Sequence, residues 1–304
     1  MLRLFQRGQN EEHTFNKELR AIGVEVVEVD AASGKQYSFK QQDNQHFSGS
    51  MDAAVLGLVE APKTWHVIDY KTANNTKFKL FEKDGVRETE FKYYAQLIMY
   101  MFWSGMERAA IMISNKNDDS IYVERFKASA NEARAFIDKA KRVVFSNQAP
   151  TKVGDADYYK CHWCDAYDVC HQDKVANTGC RTCCHSTPHQ DGSWNCDRHG
   201  YHLTQHRDQI DGCGDHLFLP DLVPAKMIQG DTQANWILYE KKDGNVFVNC
   251  GIHFKDNDSA LIPLPSGAGP VPKYTSDEVR GGFAVLGDPN VEIIREEFGA
   301  SIRP

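Results

Sequence analysis

The chain has 304 residues, 41% of them hydrophobic, enough to bury a sizeable core and suited to one main domain with appendages. No apolar run approaches the length of a membrane span and no charged-then-apolar leader opens the sequence, so no membrane partner and a cytoplasmic location are expected. The net charge of −7 argues on its face against nucleic acid, but residues 1–150 carry 21 Lys+Arg against 20 Asp+Glu, whereas residues 151–304 carry 14 against 22.

Residues 11–22 predict a first helix, with Phe15, Leu19 and Ile22 on one face and Gly23 as its end. Three strands are expected next, over 24–30, 36–40 and 46–55, the first two joined by a Ser33-Gly34-Lys35 turn. Residues 65–72 form the fourth and most buried strand. The stretch 71–87 reads as a loop in which Lys77, Lys79, Lys83 and Arg87 surround Phe78, Leu80 and Phe81. Such a loop suits phosphate tracking or, equally, a solvated surface. A long helix over 89–105, strands over 109–114 and 120–126, and a helix over 128–145 complete an α/β core. Its expected form is a mixed sheet flanked by helices.

From Pro150 the texture changes. All nine cysteines lie beyond it, eight of them between Cys161 and Cys213, which in a chain without a leader indicates metal rather than disulfides. The tail predicts a hairpin over 236–249 turning at Asp243-Gly244, a Pro/Gly linker over 267–272 and a terminal helix over 291–298. It carries no chemical motif and is expected to be a small packed appendage, with docking to a partner as the alternative.

The segment Trp65-His66-Val67-Ile68-Asp69-Tyr70-Lys71-Thr72 is the most informative. It is a buried strand ending in an acid, a spacer and a lysine, with a further acid upstream in Gly49-Ser50-Met51-Asp52. Strand alternation puts Asp69 and Lys71 on one side, and buried charges are costly unless paired or metal-bound. An acid on one strand with an acid and a lysine on the next can hold Mg²⁺ and ready a water for attack on phosphorus. Gly8 precedes Glu11 and Glu12, and Gln96 and Tyr100, four apart, share a helical face. Each residue also has an ordinary explanation: an ion pair for Asp69 and Lys71, a turn cap for Asp52, polar helix packing for Gln96 and Tyr100.

In order, the chain gives Gly-x-x-x-Glu, Gly-x-x-Asp, Asp-x-Lys and Gln-x-x-x-Tyr. That series resembles the PD-(D/E)XK nuclease superfamily, in particular its RecB-like exonuclease branch. The resemblance implies a restriction-endonuclease-like core over 1–150. It also implies Mg²⁺ or Mn²⁺ held by Asp52, Asp69 and the Tyr70 carbonyl. Glu12 is the third carboxylate, with Glu11 as its alternative. Lys71 would orient the water or steady the phosphorus, and Gln96 and Tyr100 would position the scissile strand.

Two cysteine groups follow. Cys161-x2-Cys164-x5-Cys170 has the spacing that closes the nuclease domain in RecB-like enzymes with an iron–sulfur cluster, which take a fourth cysteine from upstream. No cysteine precedes Cys161, so the segment 151–176 is expected to hold either such a cluster or a second Zn²⁺ completed by His162 or His171. A start upstream of Met1, supplying the missing cysteine, is a further expectation. The second group, Cys180-x2-Cys183-Cys184, Cys196-x2-His199 and Cys213-x2-His216, has zinc spacing. Cys180, Cys183, Cys196 and Cys213 are favoured as ligands over His199 and His216, within a zinc-ribbon-like module over 177–217 that leaves 218–304 as the appendage. Over roughly 1–217 the arrangement resembles phage-encoded RecB-like nucleases with a cysteine-rich module.

The expectation is therefore a metal-dependent nuclease acting on linear duplex or single-stranded DNA ends in phage recombination, repair or replication. A non-catalytic metal-binding module that docks on DNA, or on a recombination or replication partner, is the alternative.

Overall fold

In the computed structural model, which describes residues 2–256 and 271–301, a helix opens the chain, α1 (Leu2–Ala21). It begins well before the expected start near Glu11. Gly8 suggested a boundary, but a glycine costs a helix only about 1 kcal/mol relative to alanine, and the buried Phe15 and Leu19 anchor the helix on the sheet. Strands β1 (Glu25–Val27), β2 (Ser38–Gln41), β3 (Asn44–Ser50), β4 (Ala53–Leu56) and β5 (His66–Ala73) follow. Helices α2 (Asn75–Thr89) and α3 (Phe91–Ser104) then lead to β6 (Arg108–Asn115), β7 (Ile121–Lys127) and α4 (Ala130–Phe145).

The main sheet runs β1-β4-β5-β6-β7, and β2 and β3 form a separate hairpin. β5 and β6 are parallel, with Asp69 opposite Ile111, and the other neighbours are antiparallel. This is the mixed α/β sheet expected. Both faces are covered, so β5 is nearly continuous in apolar character. Ile68 and Tyr70 join Phe15 and Leu19 of α1 on one face. On the other, Val67, Ile111 and Ile113 pack with Phe78 and Phe81 of α2, Leu97 and Tyr100 of α3, and Ile137 of α4.

Two expectations are corrected. Residues 46–55 are not one strand: β3 pairs with β2, β4 pairs with β1 and β5, and the chain breaks at Met51 and Asp52. Residues 71–87 are not a loop but the end of β5 and most of α2. The Asn74 side chain caps α2 by accepting from the Lys77 N–H at 2.8 Å.

The chain divides into two compact units, Met1–Phe145 and Ser146–Pro304. The second opens with a short helix α5 (Tyr167–His171) and a three-stranded meander, β8 (Ser186–Pro188), β9 (Trp194–Cys196) and β10 (Tyr201–Leu203). Then come α6 (His206–Ile210), β11 (Lys226–Asp231), β12 (Trp236–Glu240), β13 (Val246–Cys250), α7 (Ile252–Lys255), β14 (Lys273–Tyr274), α8 (Ser276–Gly282) and α9 (Pro289–Phe298). The expected hairpin is β12–β13, the centre of a sheet ordered β11-β12-β13-β14. Its core gathers Leu217, Phe218, Tyr239, Phe247, Tyr274 and Leu286. Residues 267–270 of the expected linker lie outside the described residues. The terminal helix begins at Pro289, with Asp288 accepting from the Asn290 N–H. No helix among the described residues is long and apolar enough to cross a membrane.

Candidate active site

The break between β3 and β4 sets the site. Freed from the sheet ladder, Asp52 turns back on β5, and its Oδ2 accepts the Tyr70 N–H at 2.9 Å. Asp69 points from β5 to the α3 side and is 2% exposed. The Lys71 ammonium lies 2.6 Å from its Oδ2, an oxygen that otherwise finds no well-aligned donor among the described residues.

Tyr70, facing the other way, fixes α1. Its ring stacks on Phe15 at 5.3 Å and its hydroxyl donates to the buried Asn16 Oδ1. Glu12 lies one turn before Asn16 on the same inward face. Electrostatics brings Glu12 into the same site as the β5 charges. Burial raises its carboxyl pKa first, and the Asp52 charge raises it further, against the pull of Lys71. Asp69 is likewise pushed up by burial, with Lys71 opposing and Asp52 and Glu12 adding to the rise. Burial works against the Lys71 ammonium, but Asp69 and then Asp52 outweigh it, and its pKa rises. Three carboxylates that feel one another share one ammonium, an excess of negative charge that a cation would offset.

Gln96 and Tyr100 do share one face of α3, the Gln96 amide reaching the Tyr100 hydroxyl at 3.4 Å. Burial first, then the Asp69 charge, raises the Tyr100 pKa. The glycine of Gly49-x-x-Asp52 now has a reason: a Cβ there would lie 2.8 Å from Tyr100 Cε1. Asp52, Asp69 and Lys71 thus meet on β5, Tyr100 carries Gln96 beside them, and of the two adjacent glutamates it is Glu12 whose carboxyl feels the Asp52 charge.

Two neighbours were not foreseen. Asn16 orders α1 on Tyr70. Tyr93 presents its ring to Lys71, Lys77 and Lys92 at 5.3, 5.6 and 5.4 Å. The helical offsets, four from Glu12 and three from Gln96, were the only signal for either. Of the basic stretch, Lys77 pairs with Glu90, Lys83 with Asp84 at 3.7 Å and Arg87 with Glu132 at 3.1 Å. These internal pairs weaken the phosphate-tracking expectation.

A family model described as the PD-(D/E)XK nuclease superfamily matches residues 1–171, more than half the chain. The chain belongs to the PD-(D/E)XK nuclease superfamily. No curated protein matches its sequence. Among solved structures, SSO0001 is 15% identical over 54% of this chain and 68% of its own, with a TM-score of 0.36. LHK-Exo in complex with dAMP is 18% identical over 44% and 63%, with a TM-score of 0.32. LHK-Exo described as an alkaline exonuclease from Laribacter hongkongensis is 17% identical over 45% and 68%, with a TM-score of 0.29. Likenesses at these scores carry nothing about activity. Membership of the superfamily makes the chain a nuclease-fold protein, and nucleases of this superfamily use divalent cations such as Mg²⁺ or Mn²⁺.

In the second unit, Cys180, Cys183, Cys196 and Cys213 line one small cavity with His199 and Asp215. Burial raises the Cys180 thiol, and the thiols of Cys183, Cys213 and Cys196 raise it further. The Cys213 sulfur lies 3.7 Å from His199 Nε2. His216 lines the same cavity, with its Nε2 3.1 Å from the Gly179 carbonyl and its ring against Phe218 at 4.7 Å. Among the described residues, no three acidic, histidine or cysteine side chains stand close enough together to hold a metal ion. Cys161 is buried, Cys164 exposed and Cys170 half-buried, along a short turn and α5 that also carry His162 and His171.

Proposed function

We propose that the protein is a divalent-cation-dependent DNA nuclease that processes DNA ends as an exonuclease, in phage recombination, repair or replication in the host cytoplasm. The observation that carries this reading is the meeting of Asp52, Asp69 and Lys71 on β5, with Asp52 Oδ2 on the Tyr70 N–H at 2.9 Å and the Lys71 ammonium 2.6 Å from Asp69 Oδ2; the Asp52 charge also raises the Glu12 carboxyl. Asp52, Asp69 and the Tyr70 carbonyl would hold the cation, with Glu12 as third carboxylate. When bound, a divalent cation supplies Lewis-acid activation of water and neutralises charge on the phosphate. Lys71 steadies the phosphorus or orients the attacking water through its ammonium, kept protonated by Asp69 and Asp52. Gln96 and Tyr100 position the scissile strand.

The partition that fits this reading is a nuclease core over 1–150, a metal segment over 151–176, a zinc-ribbon-like module over 177–217 and an appendage over 218–304. The shared thiol cavity supports Zn²⁺ at Cys180, Cys183, Cys196 and Cys213, with His199 and His216, which also line it, as the alternatives to Cys213. Such a closed thiolate site stabilises a fold and leaves no open position for chemistry. Cys161, Cys164 and Cys170 would take an iron–sulfur cluster or a second Zn²⁺.

Purified protein on end-labelled linear and covalently closed circular DNA, with Mg²⁺, Mn²⁺ or EDTA, tests the function beside Lys71→Ala. The expected outcome is metal-dependent loss of the linear substrate alone, reduced at least about 100-fold in a folded Lys71→Ala variant, the size of losing one electrostatic stabiliser. Undiminished turnover by Lys71→Ala would dismiss the assignment. Metal-independent DNA binding without cleavage would support the accessory-module alternative.

A further inference from the structure

Beside the candidate site, the first unit holds a cavity of about 450 Å³ whose walls include four half-buried aromatic rings, Tyr37, Phe39, Trp65 and Trp103, together with Met51 and Met106. This volume falls in the range of small-molecule sites. No Asp, Glu, Lys or Arg side chain lines it among the described residues, so neither a phosphate nor a metal ion suits it. Flat, uncharged walls suit a flat, largely uncharged ligand.

The cavity borders the site at one point of the chain. Met51 lines it and is followed in the chain by Asp52. On the α3 side the Tyr100 ring stands between the two regions, 6.5 Å from Phe39 and 6.3 Å from Trp103, while its hydroxyl meets Gln96. Phe39 and Trp103 stack on each other at 6.1 Å with an interplanar angle of 22°, and the Trp103 indole N–H is held by Gln41 Oε1 at 3.0 Å. These rings are therefore fixed in place before any ligand arrives.

We propose that this cavity takes a nucleobase of the substrate strand, unstacked from its neighbours, next to the phosphate cleaved at Asp52 and Asp69. The inference rests on the nuclease reading above and adds the partner group that the phosphate carries with it. Every base offers a π-face, so an aromatic cavity with few polar groups grips any base and imposes no sequence. A base can enter only when it is unpaired, so the cavity selects frayed or single-stranded ends over an intact duplex interior.

The test scans a single abasic residue inward from the end of a fluorescently labelled single-stranded oligonucleotide. Binding is read by anisotropy with Ca²⁺ in place of Mg²⁺, so that cleavage is not required. For the wild-type protein, affinity should fall roughly 5- to 150-fold at one position, the range of a lost base–aromatic stack. Trp65→Leu, which keeps apolar bulk, should bind the intact strand as weakly as wild type binds that abasic strand. It should show no further loss at the same position. Trp65→Phe should recover most of the affinity, which separates stacking from a folding defect, and thermal melts of both variants check the fold. Indifference of the wild type to every abasic position overturns the proposal while leaving any Lys71-dependent cleavage intact. Unchanged DNA affinity in Trp65→Leu with an altered oligomeric state in sedimentation assigns the cavity to a second copy of the chain, and also overturns it.

Discussion

On the nuclease reading proposed above, Asp69 sets stability against activity. Its carboxylate is buried beside two other acids and offset by one lysine. In the metal-free protein its raised pKa means that the folded state keeps a proton the unfolded chain loses at about pH 4. The folded state thus binds more protons between that value and neutrality, and stability falls as pH rises through this window. Glu12 adds to the slope with the same sign. Asp69→Asn should therefore abolish cleavage yet raise the metal-free melting temperature at pH 8, with a flatter dependence between pH 4 and 8. Urea titrations across that range, with and without Mg²⁺, check it. A variant less stable than wild type at pH 8 without metal would refute the argument. Alternation along one strand made Asp69 and Lys71 legible in the sequence. Asn16 and Tyr93 were not, because nothing local marks which face of a helix will meet β5.

At the scale of elements, α2 is where local pattern misled. Its basic residues suggested a loop, either phosphate-tracking or solvated, yet Phe78, Phe81 and Val86 are buried in the core and Asn74 caps the start. Gly85 is where the element kinks. At φ 77° and ψ 172° it occupies a region open essentially to glycine alone, which lets Glu124 Oε2 accept the Val86 N–H at 2.7 Å. Gly85→Ala should destabilise the first unit by roughly 1–3 kcal/mol through backbone strain. The added Cβ meets Glu124 Oε1 at 3.4 Å, a contact that gives no relief. Thermal or urea melts measure this, and an unchanged midpoint would show that the kink can be dispensed with. The β3–β4 break belongs to the same scale: an uninterrupted strand would have committed Asp52 to the ladder.

For the whole molecule, the second unit depends on how its cysteines are tied to its core. The Cys184 N–H donates to the Leu217 carbonyl at 2.9 Å, the Leu219 N–H to Thr182 at 2.9 Å, and Cys183 bridges to Phe218. Of the proposed ligands, Cys183 is thus tied directly to Phe218, which is buried with Leu217 in the core of this unit. Structural Zn²⁺ contributes apparent free energies of about 10–16 kcal/mol, comparable with a whole domain's stability of about 5–15 kcal/mol. Stripping with a strong chelator should release one or two equivalents of metal. It should lose hydrogen-exchange protection across 177–250 while the sheet of Met1–Phe145 stays protected. Cys180→Ser and Cys213→Ser should lower bound Zn²⁺. Protein that is free of metal by elemental analysis and equally protected would exclude the site.

The sequence by itself determined the α/β class of the first half, the strand that presents Asp69 and Lys71, and the concentration of cysteines beyond Pro150. Each of these is written in short-range pattern, where periodicity and spacing act over one element. Tertiary structure alone decided that Asn16 receives the Tyr70 hydroxyl, that Gly49 makes room for Tyr100, and that Tyr37, Phe39, Trp65 and Trp103 surround one cavity. Those outcomes depend on which faces of distant elements meet. Side-chain contacts between residues tens of positions apart leave no periodic trace along the chain.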